Sequence, residues 1–183
     1  MPIHRLVLLL ALLPGTASAQ AGFHQLMDGA IAYRTPLPWK VVNRVRASDA
    51  EGVILEYRAE EGAAVTLAIF AHDVSRDRRL GAWSDSVLAR ARPVGGAVIV
   101  RDTTTFQTRS LLWRADALIA MDRFFRTSHG MLWVRVVMPS APLNASTITS
   151  RLRAIDDVLT TIRDESHLFF PDGSGMGVTV RTF

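Results

Sequence analysis

The sequence predicts an α+β fold: a single antiparallel sheet of about six to seven strands packed with two main helices. Three observations carry that prediction. Apolar residues alternate with polar ones over several short stretches, the signature of half-buried strands. The period changes to a helical one twice, near 77–92 and again over 145–163. Short turn signals join the consecutive strands, which favours antiparallel pairing and leaves two amphipathic helices to bury their stripes on the sheet. The composition agrees, since 49% of the 183 residues are hydrophobic and 21% charged, a globular balance. There is no cysteine, which excludes disulfides, thiolate metal sites and a cysteine nucleophile.

Residues 1–19 stand apart from this pattern. His4 and Arg5 precede the unbroken apolar run Leu6 to Leu13, Pro14 and Gly15 break it, and Ala17-Ser18-Ala19 supplies small residues. This is the layout of a cleavable secretory signal, and eight apolar residues are too few to span a bilayer, which takes about 20. The expectation is a secreted or periplasmic chain beginning at Gln20, not transmembrane after cleavage, with a formal charge of +3 once Arg5 is removed from the full-length +4. Residues 20–163 are read as a single α+β domain, and 164–183 as a C-terminal tail in which Val178-Thr179-Val180 can form an edge strand.

Within the domain, residues 20–30 form a lead-in, and Tyr33 to Trp39 is extended because Pro36 and Pro38 disfavour a helix. A strand follows from Lys40 to Arg46. Ala50-Glu51-Gly52 reads as a turn, Val53 to Arg58 as a strand, Glu60-Glu61-Gly62 as a turn, and Val65 to Phe70 as a third strand. Leu80, Trp83, Val87 and Ala91 then recur at helical spacing, with Pro93 and Gly95-Gly96 ending the helix. Ala97 to Arg101 is a short strand, and the β-branched and aromatic run Thr103 to Trp113 another. Leu118 to Arg126 and Met131 to Met138 flank the turn Ser128-His129-Gly130. Asn144 is placed to cap a helix whose stripe is Ile148, Leu152, Ile155, Leu159 and Ile162, with Arg151 on its polar surface.

These elements resemble the PsbP-like fold, the group that holds the extrinsic photosystem II protein PsbP, a Ran-binding nuclear-import factor and small bacterial envelope proteins of the DcrB type. The opening Tyr33-Arg34-Thr35-Pro36-Leu37-Pro38-Trp39 is similar to the family's aromatic–Pro–Trp strand. Asp122-Arg123-Phe124-Phe125 through Gly130-Met131-Leu132-Trp133 is similar to its penultimate hairpin, followed by a closing striped helix. The likeness covers about 30–163 and implies an α/β/α sandwich in a mostly non-enzymatic binding or assembly factor. It carries over no site residue.

No reaction is written in the residues. The four histidines after residue 19, His24, His72, His129 and His167, have no i, i+2 or i, i+4 spacing between them, so no local metal site is expected. His72-Asp73 is the one histidine beside a carboxylate; terminating the strand and capping the next helix explain it more simply than general-base chemistry. Ser84-Asp85-Ser86 lies on a helix without a nucleophile elbow, and most simply faces solvent. Asp156-Asp157 diverge on their helix. The glycine-rich 173–177 lacks the Gly-Lys-Ser/Thr ending of a phosphate loop. No catalytic residue, metal or cofactor is therefore expected.

Arginine supplies the candidate binding residues, 20 of the 21 cationic side chains being Arg. Arg76, Arg78 and Arg79 cluster before the first helix. Arg123 with Phe125, and Trp133 with Arg135, form a patch of interface type if the four share an open sheet face. The simpler alternative is a face covered by a helix, with the Arg stems reaching its rim. Export and the modest charge argue against nucleic acid. The sequence thus points to a non-catalytic binding or assembly module with an envelope protein as partner. A small hydrolase assembled in three dimensions and a carrier of apolar ligands are the alternatives.

Overall fold

Two short strands, β1 (Gly22–Leu26) and β2 (Ile31–Thr35), come first among the described residues, and the next seven strands build one large sheet. These are β3 (Lys40–Arg46), β4 (Ala50–Arg58), β5 (Ala64–His72), β6 (Val98–Thr104), β7 (Thr108–Arg114), β8 (Leu118–Thr127) and β9 (Gly130–Pro139). Their spatial order is β3-β4-β5-β9-β8-β7-β6, antiparallel throughout. The structure is a computed structural model that describes residues 22–58, 64–75, 77–91, 96–140, 145–164 and 167–169. The signal-like segment 1–19, the turn at Glu60-Glu61-Gly62, Arg76, Pro93, Asn144 and the glycine-rich 173–177 with its following edge strand lie outside these residues. Among the described residues no helix is long and apolar enough to cross a membrane.

The central strands are apolar on both sides because each side carries a layer. On β5, Val65, Leu67, Ile69 and Ala71 face one way and Phe70 the other. On β9, Leu132, Val134 and Val136 join the first set, while Met131 and Trp133 join the second. Helix α1 (Leu80–Arg90) covers the second face, seating Leu80, Trp83, Val87 and Leu88 on Leu111, Trp113, Phe124 and Trp133. Helix α2 (Ala145–Leu159) covers the first, with Ile155, Val158 and Leu159 fully buried. Each of those three burials contributes about 1.5–3 kcal/mol.

A single sheet does not account for the chain. A second, small sheet of four short strands joins β1 and β2 to β10 (Arg163–Asp164) and β11 (His167–Leu168). It lies on the α2 side and shares its core through Leu26, Ile31 and Tyr33. The lead-in 20–30 therefore contains a strand, and Trp39 anchors the layer by donating its indole N–H to the Ala154 carbonyl at 2.9 Å.

Several boundaries move for identifiable reasons. Ala50-Glu51-Gly52 belongs to β4, the turn falling just before it, where Ala47 N–H donates to Ala50 O. Gly52 is a strand residue because the ring of Phe70, its cross-strand partner, fills the place of a side chain. The run Thr103 to Trp113 is broken by a turn with neither Gly nor Pro. Thr105 Oγ1 accepts the N–H groups of Gln107 and Thr108 at 3.3 and 3.0 Å, which substitutes a side chain for turn chemistry in the backbone. Helix α2 ends at Leu159 and not at 163. There Thr160 and Thr161 hydroxyls donate to Asp156 O and Val158 O, and Thr161 Oγ1 accepts the Arg34 N–H. Arg151, expected on the helix surface, is buried to 1% exposure.

Candidate functional site

The register of the β8–β9 hairpin decides the fate of the predicted patch. Thr127 pairs with Gly130, so the turn has two residues, Ser128 and His129, and not three. Arg123 therefore lies opposite Val134 and Phe125 opposite Leu132, while Trp133 lies opposite Phe124 and Arg135 opposite Asp122. The two pairs sit on opposite faces, since a one-residue slip turns every side chain over. Both faces are covered. Phe125 is buried on the α2 side with its ring 5.1 Å from Phe169. Trp133 is buried under α1.

On the α1 side these residues form a closed polar network around Asp122, which is fully buried. Its carboxylate accepts the indole N–H of Trp113 at 2.8 Å and of Trp133 at 2.7 Å. Arg135 completes the shell through Nε at 2.7 Å and its second terminal nitrogen at 2.9 Å. The remaining guanidinium nitrogen donates to Ala91 O at the end of α1, and the cation lies 4.8 Å from the Trp133 ring. Arg135 is thus committed to holding the helix on the sheet. Asp122 is the lone carboxylate of β8, set among Met121, Phe124 and Phe125, and that is the available signal, because a buried carboxylate must find donors.

The other arginines are placed differently. Arg78 and Arg79 are exposed just ahead of α1. Arg78 donates to Ser86 Oγ at 3.2 Å and its carbonyl accepts from Arg126, while the Arg79 carbonyl accepts the Trp83 N–H that opens the helix. Ser84, expected at the solvent face, is fully buried and accepts from Arg109 at 2.8 Å. Arg109 also binds Asp85 at 2.6 Å and Asp102 at 2.8 Å, and its hydrogen bond holds the Asp102 carboxyl below the usual range.

His72 rests against aromatic rings, its centroid 5.2 Å from Trp83, and Asp73 is exposed. With Met27, Thr127, His129 and Met131 it borders a cavity of about 250 Å³, below the roughly 300 Å³ at which small-molecule pockets begin. His24 stacks on Tyr33 and takes a contact from Arg44 to Nδ1 at 3.2 Å. Burial, then Arg44, lowers the affinity of His24 for a proton; burial lowers that of His72 against the opposing pull of Asp49, with Arg90 adding to the lowering. A buried Tyr33 phenol beside His24 is pushed up to about 12, chiefly by burial.

The two depressed histidines make a pH prediction. An unfolded histidine titrates near pH 6.5, above both folded values, so the unfolded chain binds more protons as the pH falls through that region. Stability is therefore complete above about pH 7.5 and declines toward pH 5. Thermal melting at pH 8 and pH 5 checks this. His72→Phe, which keeps the ring against Trp83, is expected to flatten the decline, and an unchanged slope rejects the assignment.

What sequence reasoning missed is an open strand edge. β6 terminates the large sheet and is exposed along its whole length. Val98, Ile99 and Val100 are 61%, 47% and 52% exposed, and Phe106 at the hairpin tip 84%. Four of the seven large exposed hydrophobics among the described residues therefore sit on one hairpin. The Val-Ile-Val run signals a strand locally, but strand order, which makes it an edge, is a long-range property. A search with protein-family models finds no match, and no curated protein matches the chain.

Proposed function

We propose that the chain is an exported, non-catalytic binding or assembly module of the cell envelope that engages its partner through the β6–β7 hairpin. The observation that carries the reading is the exposed apolar edge formed by Val98, Ile99, Val100 and Phe106. Natural proteins usually blunt or cover such edges, because unpaired main-chain groups beside apolar side chains invite another strand. The signal-like residues 1–19 support export, and the resemblance to PsbP-like proteins supports a binding role. The His72 cavity of about 250 Å³ is small for an apolar-ligand carrier, and a larger concavity of about 410 Å³ on α2 is lined by the polar residues Ser146, Thr149, Ser150 and Arg153.

The test is a full-length chain carrying a photocrosslinking side chain at Phe106, irradiated in its native envelope. A discrete adduct is expected, and Ile99→Asp with Val100→Asp should abolish it. Both positions are exposed, so these changes should alter stability by no more than about 0.5 kcal/mol each. An adduct indifferent to the two aspartates, or none at all, would remove the edge from consideration.

A further inference from the structure

We propose that the β6 edge is an acceptor for an extended, acidic-apolar polypeptide segment that adds to the sheet as an antiparallel eighth strand; this rests on the binding-module reading and names the chemistry of its partner. The main chain sets the geometry. Thr105 N–H donates to Thr108 O at 2.7 Å, so hydrogen-bonded pairs with β7 fall at Thr105, Thr103 and Arg101, which pair with Thr108, Ser110 and Leu112. Hydrogen-bonded and non-bonded pairs alternate in an antiparallel ladder, which turns the N–H and C=O groups of Asp102 and Thr104 outward. An added strand that bonds to those groups meets Arg101 and Thr103 as non-bonded pairs, where facing side chains come closest.

Charge selects what that strand carries. Asp102 is already held by Arg109 on the α1 side. Arg101 and Arg114 are exposed on the opposite side, Arg114 lying behind Val98 in the register, and neither makes an ion pair among the described residues. The free charge of the edge is thus positive, set among Val98, Ile99 and Val100. Carboxylates alternating with β-branched residues match both features.

A second copy of the chain fits less well. A two-fold axis normal to the sheet pairs a strand with itself, and full overlap of Val98–Thr104 places Arg101 directly against its own copy. Like charges so placed repel.

The experiment uses the full chain and two labelled seven-residue peptides, one alternating Val with Glu and one alternating Val with Lys, followed by fluorescence anisotropy. The Glu peptide should bind about tenfold more tightly than the Lys peptide, and Arg101→Glu should reverse the order. Faster sedimentation of the free chain that Ile99→Lys abolishes would make a second copy the occupant and overturn the proposal. Peptide binding that appears only after residues 173–183 are removed would make the chain's own C-terminal stretch the occupant and overturn it equally. If neither peptide binds while the Phe106 adduct persists, the acidic strand is wrong and the binding module stands; if both are lost, the module reading falls as well.

Discussion

Asp122→Ala is expected to destabilise the fold by about 3–5 kcal/mol, a large share of the roughly 5–15 kcal/mol that holds a domain of this kind. Three buried donors depend on that carboxylate: the indoles of Trp113 and Trp133 and the guanidinium of Arg135. Removing it leaves two indole N–H groups without an acceptor and a cation with 13% side-chain exposure without its counter-charge. The charge dominates, because an uncompensated buried ion costs more than a lost neutral hydrogen bond. The effect should also loosen α1, since Arg135 reaches the helix end through Ala91 O. Urea unfolding followed by tryptophan fluorescence measures the loss. Arg135→Met in the Asp122→Ala background is expected to recover part of it, because the orphaned cation is then gone. A double variant no more stable than Asp122→Ala alone would show that the charge is not the cause.

The same pair explains what the sequence could and could not disclose. Strand and helix periods are local, and they locate both helices and six strands of the large sheet within a few residues, whereas the expected strand Thr103 to Trp113 merges the end of β6, a turn and β7. Turns written in Gly and Pro are local too. The turn at Thr105 is not visible in that way, because its hydrogen bonds come from a β-branched residue that reads as strand. Register is less local still. A three-residue turn at Ser128-His129-Gly130 places Arg123 opposite Arg135 and Phe125 opposite Trp133, which produces the shared Arg–aromatic face. The two-residue turn places Asp122 opposite Arg135. Cross-strand charge pairing prefers the second arrangement, so the information was present at Asp122 and Arg135, though only as a comparison of registers. Edge status lies beyond even that comparison. Nothing in Val98-Ile99-Val100 says whether another strand follows it, and only the full strand order leaves β6 open.

Gly130→Ala distinguishes those two registers directly and should cost about 3–5 kcal/mol in the observed one. Gly130 is the first residue of β9, with φ +145, and a methyl group there would run into the carbonyl oxygen of His72 on β5. Its further neighbours are main chain as well, Val74 N at 3.1 Å and the His72 carbonyl carbon at 3.2 Å. A backbone cannot swing aside as a side chain does, so either the β5–β9 ladder separates or the hairpin end distorts. Gly52→Ala is the instructive contrast, because the obstacle there is the Phe70 ring, which can rotate at the expense of its 5.1 Å stack on Trp133. Gly52→Ala should therefore be the milder change. In a three-residue turn Gly130 would stand in the loop, where a positive φ costs an alanine only about 1–2 kcal/mol and no β5 carbonyl is near. Urea midpoints of the two variants decide between these cases. A Gly130→Ala loss no larger than that of Gly52→Ala would put Arg123, Phe125, Trp133 and Arg135 back on one face.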